Sequence, residues 1–313
     1  MNEQELYSAE NELGLYVHAV REAKGYKMED VCDGICSVPT MSRIEAGERV
    51  VDFLLIEALL DRMKIAKTEY EFVLDEDDYS AYKQRNDIKM LIQGKQFKEA
   101  EDCLAGYEKK YGGFELHQQF LYYQRAMLQK RKMPQDKSTI VELFHKAISV
   151  TVPDYEQKME KREILSSTEL VCVAEMIHCV DDVSVREKAY EKLYDYNQWC
   201  YQAEGFFPVS YRLAMQYYAE CLYEKEQYEK CIRICDEVLE ELYKTSKLEN
   251  RCDVFVLRAK AREKLGFQNE EDRTNCIRDY LTAYYVIGFF DGEEQAEELK
   301  QYIGERYGWQ YIV

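Results

Sequence analysis

The chain has 313 residues, of which 46% are hydrophobic and 33% charged, and its formal net charge is −18. Only 4 Pro and 14 Gly interrupt this length, and so few helix breakers favour a nearly all-helical protein. The acidic charge argues against non-specific binding to membranes or nucleic acid, and the lack of an apolar run of about 18 residues argues against a membrane span.

The first residues, MNEQELYSAENE, are acidic and lack the apolar segment of a signal peptide. The eleven Cys are an odd number scattered through helix-like segments, a pattern typical of reduced thiols and not of a disulfide framework. We therefore expect a cytoplasmic protein.

The N-terminal part of the chain predicts a bundle of short helices. Leu13, Val17 and Val20 have the spacing of one buried helix face, and Gly25 can end that helix. The predicted helices cover residues 9–24, 27–32, 37–46 and 52–63.

The stretch from Gly34 to Gly47, GICSVPTMSRIEAG, has the layout of the second half of a helix-turn-helix. A tight turn leads to Ser37, which can cap a helix, and Pro39 lies in the first turn, where its missing N–H costs little. Gly47 can take the left-handed conformation that ends a helix. A helix this short is not stable alone, so it must pack on its neighbours.

From Asp75 onward the sequence predicts a polar connecting helix and then repeated helical hairpins. The predicted pairs are 79–94/96–111, 115–131/138–150, 160–180/184–203, 207–225/227–245 and 249–266/270–289, with a capping helix near 292–307. The apolar pattern of the second helix begins at Phe97, Ile140, Val185 and Tyr228 in the first four pairs, and these residues are 43, 45 and 43 positions apart. That regularity indicates stacked helix pairs.

Two of these hairpins fit the frame of a tetratricopeptide repeat, in which small residues let helices approach and aromatic residues fill the gap to the next pair. The matching positions are Ala219, Leu222, Tyr228, Cys231 and Cys235 in one hairpin, and Ile88, Leu91, Phe97, Ala100 and Leu104 in the other.

The order of helix, Gly25, short helix, GICS and TMSRIEAG resembles the Xre-type, phage-repressor-like helix-turn-helix over about residues 10–67. Together with the repeats, it resembles the RRNPP family of bacterial regulators, which includes Rgg- and PlcR-like receptors of short secreted peptides. The ending RDYLTAYYVIGFFDGEEQAEELKQYIGERYGW is similar to that of the family's Firmicutes members. The resemblance implies an all-α fold, with a helix-turn-helix DNA-binding domain over residues 1–74. It implies a connecting helix, a right-handed tetratricopeptide-like superhelix and a C-terminal capping helix over 75–313.

The resemblance also implies which residues meet DNA, because the first turn of the recognition helix reaches base edges and polar groups around it hold phosphates. By position, the base-facing residues are Val38, Pro39 and Arg43, and the neighbours of the DNA backbone are Lys27, Thr40, Ser42 and Arg49. The guanidinium of Arg43 can bond a guanine bidentately. Val38 and Pro39 depart from the polar residues usual at these positions, so they could touch only a thymine methyl or the groove wall.

Arg21 and Glu45 match a structural ion pair of the family that ties the first helix to the recognition helix. They could equally be solvated surface charges.

Charge limits the DNA-binding interpretation. Residues 1–74 contain 8 Lys or Arg against 15 Asp or Glu, a net charge of −7, whereas DNA affinity depends heavily on phosphate neutralisation. We expect weak binding by a monomer, partly offset in a homodimer that presents two recognition helices about one DNA turn apart. The alternative is a degenerate helix-turn-helix kept for packing or dimerisation.

Stacked helix pairs curve and present a concave surface lined by the first helix of each pair. An extended peptide could bind there through side-chain hydrogen bonds and aromatic contacts. The candidate peptide-binding residues are Tyr123, Gln216, Glu220, Tyr223 and Arg258. With 27 Tyr in the chain, each tyrosine could instead be an edge-of-core residue.

The sequence shows no motif for catalysis, for a cofactor or for a metal. Cys32/Cys36 and Cys231/Cys235 lie four apart without a second ligand pair at zinc-like spacing, and small buried helix residues explain them. We therefore expect no enzyme.

Two hypotheses follow. In the first, the chain is a peptide-controlled transcription regulator whose partners are double-stranded DNA, a short peptide and a second copy of itself. In the second, it is a helical-repeat adaptor that sequesters a protein partner without touching DNA.

Overall fold

The computed structural model describes residues 3–49, 52–65, 76–204, 207, 210–245, 252–290 and 293–308. Within these ranges all regular secondary structure is α-helical. The first helices are α1 (Glu3–Lys24), α2 (Met28–Cys32), α3 (Val38–Glu45), α4 (Phe53–Arg62), α5 (Glu76–Gln93), α6 (Phe97–Tyr111), α7 (Glu115–Lys132) and α8 (Lys137–Thr151). They are followed by α9 (Tyr155–Lys161), α10 (Ser167–His178), α11 (Val183–Glu204), α12 (Tyr211–Glu224), α13 (Tyr228–Thr245), α14 (Cys252–Leu265), α15 (Glu270–Phe290) and α16 (Glu293–Tyr307). The prediction of an all-α chain is confirmed.

Backbone contacts divide the chain into two compact units. The first comprises residues 1–179 and 196–210, and the second comprises residues 180–195 and 211–313. Helix α11 contributes to both, and each unit is described by itself.

In the first unit, helices α1 to α4 form a small bundle that we call the head. Its start and stop signals act as the sequence predicts: the Ser37 hydroxyl accepts a hydrogen bond from the Thr40 N–H, and Gly25 and Gly47 adopt positive φ angles of 69° and 68°. Apolar side chains from all four helices then form one core. Its buried members include Val17, Val31, Met41, Ile44, Ile56, Leu59, Leu60 and Met63.

The remaining helices of the first unit pair as hairpins, α5 with α6 and α7 with α8, and α10 packs on α8. The first helices α5 and α7 also lie beside each other, as expected for stacked repeats. Small residues bring the helices close, since Ala81, Ala100, Ala126 and Ala147 are almost completely buried.

The predicted single helix over residues 160–180 is wrong. The chain instead forms α9, ends it at Arg162 with a left-handed φ of 58°, and starts α10 after residue 166. Ser166 and Glu169 form a reciprocal capping box at that start. The Ser-x-x-Glu pattern of these two residues was the signal for a new helix.

In the second unit, α12 pairs with α13, α14 pairs with α15, and α16 packs on α15. Ala219, Leu222, Cys231 and Cys235 are buried, so the tetratricopeptide frame describes this hairpin correctly. The carboxylate of Glu263 accepts hydrogen bonds from the hydroxyls of Tyr280, Tyr302 and Tyr307, which fastens α16 to α14 and α15.

Pro134 lies between α7 and α8, and Pro153 lies between α8 and α9. Pro208 lies outside the described residues. None of the helices in the described ranges combines the length and the apolar character needed to span a bilayer.

Candidate DNA-reading helix and a neighbouring cavity

Helix α3 has one buried face and one exposed face. Met41 and Ile44 point into the core of the head. Val38, Pro39, Ser42 and Arg43 are exposed, as are Lys27 and Arg49 nearby, and Thr40 is half-buried. The Arg43 side chain makes no hydrogen bond or ion pair with another described residue. Its guanidinium is therefore available to an external acceptor.

Two hydroxyl groups and a guanidinium are hydrogen-bonded to one another at the start of α3. Ser37 donates its hydroxyl proton to Thr40 Oγ1 at 2.9 Å, and Arg49 Nη1 donates to the same Thr40 oxygen at 3.1 Å. Arg49 thus holds a positive charge at the N-terminal end of α3. This combination suits an anion such as a DNA phosphate.

The structure brings Arg21 and Glu45 together. Arg21 donates from Nε to Glu45 Oε1 at 2.6 Å and from Nη2 to Glu45 Oε2 at 2.8 Å, and His18 Nδ1 lies 2.9 Å from Glu45 Oε2. Burial raises the pKa of the Glu45 carboxyl, but the hydrogen bonds from Arg21 and His18 outweigh burial, so the pKa is lowered. The charged pair links α1 to α3 and fixes which face of α3 is exposed.

A cavity of about 360 Å³ lies in the first unit, between helix α4 of the head and helices α5, α7 and α10. One wall comes from Leu54, Glu57, Ala58 and Asp61 of the head. The opposite wall is one face of α7, formed by residues four apart in sequence: Gln119, Tyr123, Met127 and Arg131. That spacing is the sequence signal that could have identified this face.

Most charged groups around the cavity are already bonded to protein. Glu57 accepts from Arg85 at 3.2 Å, Glu169 accepts from the buried Arg62 at 2.6 Å, and Asp61 accepts from two backbone N–H groups at the start of α10. These carboxylates are therefore engaged in holding the head against the repeats.

Three polar side chains of α7 at the cavity remain without such a bond. Gln124 is only 5% exposed, yet neither its side-chain amide nor the Tyr123 hydroxyl nor the Arg131 guanidinium forms a hydrogen bond or ion pair with another described residue. Burial raises the pKa of the Tyr123 hydroxyl, so it stays protonated and can donate. The cavity thus offers an amide, a phenol and a guanidinium to a ligand.

Among the predicted peptide-binding residues, Tyr123 lines this cavity and packs edge-on against Phe144, with ring centroids 5.8 Å apart. The other predicted residues belong to the second unit. Gln216 donates to Glu220 at 3.2 Å, so the structure brings those two together.

The remaining two residues have structural contacts. Tyr223 packs edge-on against Tyr228, with centroids 5.4 Å apart. Arg258 bonds Asp279 at 2.6 and 2.9 Å and Asp236 at 2.5 Å. Arg258 therefore bridges α13, α14 and α15, and its charge is largely satisfied.

In the described part of the chain no three His, Cys, Asp or Glu side chains are placed to hold a metal ion. Cys231 and Cys235 are fully buried. Cys36 is half-buried, and burial raises the pKa of its thiol to about 12, which suppresses the reactive thiolate.

No protein-family model and no curated protein matches the sequence. The solved structures that match by fold include two of PlcR. PlcR of Bacillus thuringiensis in its apo form gives a TM-score of 0.56 at 15% identity, covering 94% of this chain and 99% of that chain. PlcR in complex with the peptide PapR7 and DNA gives a TM-score of 0.51 at 16% identity, covering 94% of this chain and 98% of that chain. The chain shares the all-helical fold of PlcR over nearly its whole length.

Proposed function

We propose that this chain is a sequence-specific DNA-binding transcription regulator of the cytoplasm, that it acts as a homodimer, and that a short peptide bound to its helical repeats controls it. The observation that carries this proposal is the exposed, unbonded Arg43 on a helix whose other face is fixed by the buried Arg21–Glu45 pair. The shared fold supports it, since PlcR has been crystallised with DNA and a peptide.

In this proposal residues 1–74 are the DNA-binding domain, and α3 enters the major groove. Arg43 bonds a guanine, and Val38 and Pro39 touch a thymine methyl or the groove wall. Lys27, Thr40, Ser42 and Arg49 hold phosphates. Two heads in a dimer bind two half-sites and offset the acidity of each head.

Residues 75–313 then form the peptide receptor. Tyr123 together with the cavity that it lines supports a ligand site in the first unit, and Gln216, Glu220, Tyr223 and Arg258 are the proposed contacts in the second. Control requires only that the peptide bind one arrangement of the molecule more tightly than another.

The test of DNA binding is a gel shift on the DNA upstream of the chain's own gene, at low and moderate salt. We expect Arg43→Ala to weaken binding by about tenfold or more, because a bidentate arginine–guanine contact contributes about 1–3 kcal/mol. Arg233→Ala, which removes an exposed arginine from α13, is the matched control. Absence of a shift at low salt, or equal binding by the Arg43 variant, would contradict the proposal.

The adaptor hypothesis is favoured by one observation, the net charge of −7 over residues 1–74. The same gel shift separates the two hypotheses, since an adaptor shows no Arg43-dependent shift. Sedimentation velocity of the purified chain tests the proposed dimer, and a single monomeric species at micromolar concentration would contradict it.

The peptide part is tested by thermal shift with a panel of short hydrophobic peptides. A ligand that binds only the folded chain raises the unfolding midpoint by mass action. We expect at least one peptide to do so in a concentration-dependent manner.

A further inference from the structure

The cavity beside the head differs from an ordinary repeat groove because the head itself supplies one wall. Leu54 and Ala58 of α4 face it, and Ile92, Phe120 and Met127 supply apolar surface from α5 and α7. A ligand seated there would touch the DNA-binding head directly.

We propose that this cavity seats the C-terminal residue of the controlling peptide, with an apolar side chain against α4 and a free carboxylate on Arg131. The inference rests on the proposed peptide control and adds which end of the peptide binds, and where.

The unbonded groups set the chemistry of this ligand. The side-chain amide of Gln124 can donate one hydrogen bond and accept another, which matches the C=O and N–H of a peptide bond. The planar guanidinium of Arg131 suits the two oxygens of a carboxylate. Arg131 is exposed at the mouth of the cavity, so it can bind a charged terminus that stays close to solvent.

Size and surface select the side chain. A cavity of about 360 Å³ is near the lower end for ligand sites, which span roughly 300–1,000 Å³. It therefore fits the last residue or two and excludes a longer segment. The ring of Phe120, the thioether of Met127 and the small Ala58 favour an aromatic or large aliphatic terminal residue.

The position of the cavity explains how binding reaches DNA. Glu57, Asp61 and Arg62 of α4 bond Arg85, the start of α10 and Glu169. Helix α4 is therefore held by the same repeat helices that surround the ligand. Filling the cavity acts on α4 by direct contact.

The test uses the full-length chain and two probes, N-acetyl-Leu-Phe with a free carboxylate and the same dipeptide as its C-terminal amide, by isothermal titration calorimetry. We expect the acid to bind at least tenfold more tightly than the amide. Arg131→Gln should remove that preference. Arg125→Gln changes a neighbouring arginine of α7 that pairs with Glu108, and it should keep the preference.

Contact with the head is tested by Ala58→Phe, which fills the cavity from α4. This substitution should weaken binding of the free-carboxylate dipeptide at least tenfold. Ala105→Phe, at an exposed position of α6, is the matched control. Equal binding of acid and amide, no binding of either probe, or an unchanged preference in Arg131→Gln would overturn the inference.

Failure of the inference can be separated from failure of the proposed function. A peptide that stabilises the wild-type chain and binds both the Arg131 and the Ala58 variants unchanged would overturn this cavity assignment and leave peptide control standing. If no peptide and neither probe binds, both proposals fail.

Discussion

Gly34 meets two separate constraints at a single residue. It sits in the turn before α3 with a φ of +71°, and a Cβ built on it would lie 1.8 Å from the backbone carbonyl oxygen of Thr151, the last residue of α8. The turn between α2 and α3 therefore lies directly against α8. The sequence explains the first constraint through turn geometry, but the second comes only from long-range packing.

We expect Gly34→Ala to destabilise the chain by roughly 1–2 kcal/mol from the left-handed backbone and by about 1–3 kcal/mol from overpacking. Gly25→Ala isolates the first effect, because Gly25 has a φ of +69° and a Cβ added to it would meet nothing within 4 Å. Gly106→Ala, inside α6 with open space around it, should stabilise by about 0.5–1 kcal/mol. Urea unfolding followed by circular dichroism measures all three, and equal losses for Gly34 and Gly25 would contradict the close approach to Thr151.

At the scale of one element, the start of α10 is where the head meets the repeats. Ser166 caps the helix through the Glu169 N–H at 3.2 Å, and Asp61 of the head accepts from the N–H groups of Ser167 and Thr168 at 3.2 Å each. The free N–H groups of the first turn are thus satisfied partly by the helix's own cap and partly by α4. A helix continuous through 160–180 would have hidden these donors, so the break at residues 162–166 is what allows the head to dock.

Ser166→Ala removes the cap and should cost about 1 kcal/mol of stability, as loss of an N-cap hydroxyl usually does. Ser138→Ala, at an exposed serine in the first turn of α8, should change stability by less than about 0.5 kcal/mol. Chemical denaturation of the two variants beside the wild type provides the comparison. Equal effects of the two substitutions would show that the capping box adds nothing.

For the whole molecule, acid should loosen the contacts between the head and the repeats. Burial raises the pKa of Asp52 and of Glu169, but hydrogen bonds from His117 to Asp52, and the charge of Arg62 beside Glu169, outweigh it, so both folded pKa values are lowered. A lowered folded pKa gives stability that is complete above the unfolded value near about 4 and is lost as the pH falls through the folded value.

We therefore expect the thermal unfolding midpoint to hold from pH 7 to about 5 and to fall below that, as carboxylates with lowered pKa values take up protons. Asp52→Asn keeps a side chain able to cap α4 but removes the charge facing His117, so its midpoint should fall less than that of the wild type between pH 5 and 2. Asp102→Asn, at an exposed position of α6, should show the same pH dependence of the midpoint as the wild type.

Electrostatic repulsion within a chain of net charge −18 also weakens on acidification. Comparing the two variants removes this effect, because both carry it equally. Parallel curves for the Asp52 variant and the wild type would contradict the assignment.

The sequence by itself determined the helical class, the four helices of the head and most hairpin limits, because helix periodicity and caps depend on residues within about four positions of each other. The resemblance to the Xre-type helix-turn-helix predicted Arg21 and Glu45 as partners, and the structure brings them together. It also predicts Arg43 as the residue of α3 that reads a base. Tertiary structure decided the rest. Arg62 and Glu169 are 107 residues apart, and Arg258 is satisfied by carboxylates of two other helices. The cavity exists only where α4 meets α5, α7 and α10. Such contacts depend on which distant surfaces pack together, and no local pattern in the sequence records that choice.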